Sequence, residues 1–202
     1  MRDKPQSPPA GRTPQPGGGK RPARGEAPPD PLTLAFRLLS RRAYSIAEMR
    51  RALARKYPQP EEVSAAIARL RELGYLDDRN FAEQYAHSLA QNRKFGPHRL
   101  RRELKARLVD YGQIEPAVEQ VQQEMPPREL LEQALAKKLR TTRLPLTRAR
   151  LHSLCQGLLR LGFGAGDIIK VVRSRPELKP VADALEQVDV EISGEDPGAG
   201  LS

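Results

Sequence analysis

The chain has 202 residues, of which 30% are charged and 38% hydrophobic, and its formal net charge is +10. No apolar run approaches the roughly 18 residues of a membrane span, and no apolar segment near the N-terminus has the form of a secretory signal. A single cysteine, Cys155, excludes an internal disulfide framework. These features point to a cytoplasmic protein with no membrane association. The charge is unevenly placed: residues 1–29 carry +4, residues 177–202 carry −6, and +12 falls between them. A basic body with an acidic tail suits a polyanionic partner, with the tail as a competitor for the same surface.

Residues 1–29 hold eight prolines and five glycines, too little apolar material to offset the entropy of ordering, and they are expected to form a disordered basic arm. From Asp30 the apolar period becomes helical, with Leu34 and Leu38 on one face. Ser45 and Glu48 have the spacing of a capping box, and Met49, Leu53 and Tyr57 form the stripe of the helix they open. Pro58 and Pro60 close it and start the next, whose first turn carries Glu61 and Glu62. Val63, Ile67 and Leu70 are its buried face, and Gly74 ends it. Asp77 and Asp78 then stand before the apolar ladder Phe81, Tyr85 and Leu89, where capping explains them. Gly96-Pro97 breaks the chain again and introduces an arginine-rich helix over 97–108, with Leu100, Leu104 and Leu108 as its core face. No segment alternates with period two, so no strand is expected.

Apolar positions recur at fixed offsets between helices. Val63 and Ile67 lie 10 and 14 residues after Leu53, Ile114 and Val118 lie 10 and 14 after Leu104, and Ile168 and Val172 lie 10 and 14 after Leu158. Leu34, Tyr85 and Leu139 each precede Met49, Leu100 and Leu154 by 15. A period near 50 marks a stacked repeat. The expected architecture is all-α: three tandem three-helix repeats at 30–76, 77–125 and 126–176 in an elongated curved array, about nine helices, with the arm 1–29 and an acidic flexible tail 177–202. The third repeat is expected to begin near Pro127 and to be interrupted by a loop at 141–145. A short extra helix fits 181–190.

No catalytic constellation assembles. His87, His98 and His152 stand singly, without a metal-ligand cluster. The run Gly162-Phe163-Gly164-Ala165-Gly166 follows a helix rather than a strand and lacks a dinucleotide-loop spacing. Cys155 sits among core leucines. No enzyme activity, metal or cofactor is expected. What remains is arginine placement. Arg51 and Arg55 project away from Met49 and Leu53, with Arg50 on the flank. Arg99, Arg102 and Lys105 project away from Leu100 and Leu104, with Arg101 on the flank. The doublets Arg50-Arg51 and Arg101-Arg102 are equivalent in the repeat, so stacked units present a basic strip suited to phosphates or to an acidic protein groove. Aromatic residues make up only 4% of the chain, fewer exposed rings than a single-strand binder built on base stacking would want, and Tyr44 and Phe95 near repeat junctions are the only tempting ones.

The stretch Leu73-Gly74-Tyr75-Leu76-Asp77-Asp78, followed by Phe81-Ala82, Gly96 and Leu100 with Glu103-Leu104, resembles the RecX family of recombination regulators. Leu38-Leu39-Ser40-Arg41, Ser45, Glu48-Met49 and Gly162-Phe163 extend the resemblance over about residues 34–175. One departure stands out: Arg107-Leu108-Val109 occupies the place of a Lys-Gly-Ile-like helix end. The resemblance implies tandem three-helix units and no catalytic centre. It also implies binding to the RecA filament on single-stranded DNA and inhibition of recombinase, ATPase and coprotease activities in recombination, repair and the SOS response. The protein is expected to act as a monomer on the RecA filament and on single- and double-stranded DNA. A stand-alone, sequence-nonspecific DNA binder and a helical scaffold for another protein are the competing readings.

Overall fold

The computed structural model describes residues 29–142 and 146–178. Nine helices and no strand occur among them: α1 Pro31–Leu39, α2 Ile46–Ala54, α3 Pro60–Glu72, α4 Asp78–Arg93, α5 Pro97–Ala106, α6 Tyr111–Glu124, α7 Pro127–Thr141, α8 Arg148–Arg160 and α9 Ala165–Arg173. The readings of residues 1–28, of positions 143–145, of a helix over 181–190 and of the tail beyond Leu178 lie outside the described residues. The extensive helix–helix packing falls within three triplets, α1–α3, α4–α6 and α7–α9.

Local signals explain where these helices begin. Ser45 caps α2 through a complete capping box with Glu48. Asp77 caps α4, accepting from the Arg79 and Asn80 N–H groups. Thr147 caps α8, and prolines occupy the first turn of α1, α3, α5 and α7. At these positions a missing N–H costs nothing and the fixed φ already suits a helix. Gly74 ends α3 with φ +73°, and Tyr75 N–H donates to Leu70 O.

Four of the five recurring positions are buried as the spacing requires, whereas the first, Leu34, Tyr85 and Leu139, is half-buried against the cores. Met49, Leu100 and Leu154 are 0, 1 and 5% exposed, and Leu53, Leu104 and Leu158 are each fully buried. Helix α8 has 13 residues against 9 in α2 and 10 in α5. Its extra turn is at the N-terminal end and buries Leu151 as an additional core residue. The core itself is divided unequally. The first triplet encloses its own cluster around Met49, Leu53, Ile67 and Leu70. The second and third share one continuous cluster from Phe81 to Leu178.

Two junctions follow one plan, in which the N-terminus of a middle helix meets the turn that ends the next triplet's middle helix. Between the first and second triplets, Ser45 Oγ donates to Arg107 O at 2.6 Å and Ile46 N–H to Asp78 Oδ1 at 2.8 Å. Between the second and third, Gly96 N–H donates to Leu161 O at 2.8 Å and His98 N–H to Gly162 O at 3.2 Å. The first junction is made by side chains. The second is made by backbone in contact, which glycine alone permits: a Cβ on Gly162, at φ +90°, would lie 2.2 Å from Arg99 N, and one on Gly96 would lie 2.5 Å from Gly162 O.

Helix α5 ends at Ala106, not at Leu108. Leu108 adopts φ +55° and is 37% exposed, so it is not the third core residue its spacing suggests. The left-handed turn after α5, for which the family pattern supplies glycine, is made here by leucine. Val109 N–H still closes on Leu104 O. Among the described residues Lys94 is the other non-glycine residue with positive φ, at the end of α4. Relief of Cβ strain there, worth about 1–2 kcal/mol, outweighs the added chain entropy of glycine. Lys94→Gly is expected to raise the urea midpoint by an amount equivalent to about 0.5–1 kcal/mol; a lowered midpoint contradicts this account of the turn.

Candidate nucleic-acid interface

Helix α2 turns Met49 and Leu53 inward, which leaves Arg50, Arg51 and Arg55 exposed. None of the three has an ion-pair partner among the described residues. Arg50 and Arg51 line an open groove between the first two triplets, together with Arg71 from the end of α3 and Arg79 from the start of α4. Its far wall is Leu108, Asp110 and Gln113. The carboxylates that also line it are engaged locally. Asp77 and Asp110 cap α4 and α6, Asp78 accepts from Ile46 N–H, and Glu72 pairs with Arg69 at 3.1 Å.

Helix α5 treats its four cations differently. Arg102 and Lys105 are exposed, and the Lys105 ammonium stands 5.4 Å from the Tyr111 ring centroid. Arg99 is half-buried, bound to Glu103 at 2.6 Å and placed 5.1 Å over the Phe95 ring. Arg101 donates to both Glu115 oxygens at 2.9 and 3.0 Å. That hydrogen bond raises the Arg101 pKa, while the same bond lowers that of Glu115. The pair adds stability above the ordinary carboxylate range and loses it as acid protonates Glu115. The doublets are therefore equivalent in position and unequal in availability: Arg50 is open, whereas its counterpart Arg101 is committed within its own triplet.

The rings also differ from the expectation. Phe95 is buried at 9% exposure, and Tyr44 is half-buried under the Arg42 guanidinium, 3.6 Å from its centroid. Among the described residues the exposed rings are Tyr75, at 57%, Tyr111, at 72%, and, at the margin, Phe36, at 36%. Sequence reasoning also missed Arg71, Arg79 and Arg107. Arg107 bridges the triplets: its Nη2 donates to Ala43 O at 2.9 Å and lies 3.3 Å from Glu48 Oε2. Its guanidinium covers Phe81 and Tyr85 at 5.3 and 5.1 Å. The available signal was positional, since Arg71 and Arg107 each stand at the end of a helix that meets a neighbouring triplet.

Family models match two of these triplets in turn: the RecX first three-helix domain at residues 32–70 and the RecX second three-helix domain at 77–118. The regulatory protein RecX of Streptomyces coelicolor is 33% identical over 158 residues, covering 76% of this chain and 84% of that one. The chain belongs to the RecX family. RecX of Deinococcus radiodurans is 35% identical over 158 residues, 77% of this chain and 72% of that protein. RecX of Thermus thermophilus is 40% identical over 105 residues, 52% of this chain and 66% of that protein. The crystal structure of RecX from Lactobacillus salivarius superposes with a TM-score of 0.58 at 21% identity, over 71% of this chain and 93% of that one, a likeness of fold. RecX proteins are non-enzymatic regulators, and the candidate site is correspondingly a surface of cations and rings. Among the described residues no helix is long and apolar enough to cross a membrane.

Proposed function

We propose that this chain binds the RecA–DNA filament in the cytoplasm, as a monomer, and inhibits RecA's recombinase, ATPase and coprotease activities by occupying the filament groove. Membership of the RecX family is the observation that carries the target. The mode rests on the surface: Arg50, Arg51, Arg55, Arg102 and Lys105 are exposed and have no ion-pair partner among the described residues. Arg99 and Arg101 support the same surface from within ion pairs that an incoming phosphate would have to displace. The division into repeats at 30–76, 77–125 and 126–176, flanked by an arm and an acidic tail, belongs to the same proposal. Units in series touch successive filament subunits at once, so modest contacts add through effective concentration.

The test is RecA's DNA-dependent ATP turnover at fixed salt with DNA in excess. Turnover is expected to fall at substoichiometric amounts of this protein, and extra DNA is not expected to restore it. Full restoration by DNA instead supports a stand-alone DNA binder that competes for substrate, the reading favoured by the open arginines taken alone. Direct DNA binding is expected to weaken with salt. If the five open cations each neutralise one phosphate, log affinity falls against log salt with a slope of about −3.5 on single strands and −4.5 on duplex. A flat response excludes phosphate contact.

A further inference from the structure

A second concavity, of about 640 Å³, adjoins the arginine groove at the junction between the first two triplets and shares Gly74, Asp77 and Asn80 with it. Its lining is aromatic where the first is basic: Tyr44, Tyr75, Phe81 and Tyr85, with Arg42 and Arg107 among them. Most of these rings are already used. Phe81 and Tyr85 stack on each other at 5.6 Å under Arg107, and Tyr44 lies under Arg42. Tyr75 is different. It is 57% exposed, and Phe36 braces it edge-on at 5.1 Å and 85°. Asn80 and Gln84 line the same hollow, joined by one hydrogen bond of 2.8 Å. That single bond leaves most of their amide donors and acceptors available.

We infer that the two concavities form one single-strand nucleic-acid site, in which Tyr75 stacks a base and Arg50, Arg51 and Arg71 hold the adjoining phosphates. A braced, exposed ring in one hollow, and guanidiniums without an ion-pair partner among the described residues in the groove that adjoins it, are what an unpaired strand requires. Its bases have free faces for stacking and its backbone has charge for the arginines. A duplex hides its base faces and engages the arginines alone. Tyr75 therefore sets the preference between strand types, while Arg71, which the repeat pattern does not mark, serves both. The inference rests on the DNA contact in the proposed function and not on RecA.

The chain contains no tryptophan, so Tyr75→Trp supplies a single reporter at the proposed stacking position. Its fluorescence is expected to be quenched as a dT oligonucleotide is added, along the same isotherm that anisotropy of a labelled strand reports. Tyr75→Ala is expected to weaken single-strand binding roughly 5- to 100-fold and leave duplex binding unchanged. Arg71→Ala is expected to weaken both and to reduce the single-strand salt slope by about 0.7. Unchanged indole emission from the Tyr75→Trp variant at saturating DNA overturns the inference, as does an equal loss on both strand types in Tyr75→Ala. Loss of RecA binding in Tyr75→Ala with DNA affinity intact assigns the surface to a protein contact and also overturns it. Failure of the RecA reading shows separately, as turnover that the wild-type protein does not inhibit.

Discussion

Gly162→Ala is expected to cost about 2–6 kcal/mol, a large share of the roughly 5–15 kcal/mol that holds a domain folded. Two terms contribute. An L side chain at φ +90° is strained by about 1–3 kcal/mol. The added Cβ would also lie 2.2 Å from Arg99 N and 2.4 Å from Arg99 Cβ. Since a backbone atom cannot swing aside as a side-chain tip can, the third triplet must back away from α5, at a further cost of about 1–3 kcal/mol. The shared core opens with it, because Phe95 and Phe163 are buried beside this contact. Urea unfolding followed by circular dichroism measures the loss directly. Gly166→Ala is the control: nothing lies within 4 Å of a Cβ there, and its midpoint is expected to move little. Equal midpoints for the two variants would remove Gly162 from the junction.

The helices and their triplets were legible because their causes are local. The capping box of Ser45 and Glu48, the Asp77 cap, the first-turn prolines and the Gly74 stop each fix a helix end within a few residues of sequence. The +10 and +14 offsets then show which faces turn inward, and Leu53, Leu104 and Leu158 are fully buried as those offsets require. The junctions were not legible in this way. Gly162 is an ordinary glycine after a helix until Arg99, 63 positions earlier, is brought against it. Asp78 looks like a second capping residue until Ile46 N–H is found on it. Leu108 follows the four-residue spacing of Leu100 and Leu104, but the helix has already ended and the leucine lines the groove. The availability of each arginine follows the same rule. Equivalence by repeat places Arg50 and Arg101 alike, whereas Glu115, on the neighbouring α6, decides that only Arg101 is tied down.

Glu48→Ala is expected to cost about 2–3 kcal/mol and to act on one junction. The carboxylate accepts from Ser45 N–H at 3.4 Å within the capping box. It also pairs with Arg42 at 2.9 Å and with Arg107 at 3.3 Å. Losing the reciprocal cap accounts for about 1 kcal/mol. The larger part is Arg107, whose side chain is only 21% exposed and whose Nε is buried without a partner. Removing the anion leaves that guanidinium with the Ala43 carbonyl as its one hydrogen-bond acceptor among the described residues, beside the Phe81 and Tyr85 rings. The penalty for an orphaned buried charge is about 3–5 kcal/mol, reduced here by its partial exposure. Arg107→Ala should cost a similar amount, and the double variant less than the sum, with a coupling of about 1 kcal/mol. The position of the damage is the more searching test. The first triplet has its own core and meets the second through this polar contact. Hydrogen exchange in Glu48→Ala should therefore accelerate across α1–α3 while α6–α9 keep their protection. A uniform loss of protection would show that the three triplets open as one. Localised opening carries a functional consequence as well. Both concavities are built from residues of the first two triplets together, so Glu48→Ala should weaken DNA binding with Arg50, Arg51, Arg71 and Tyr75 all in place.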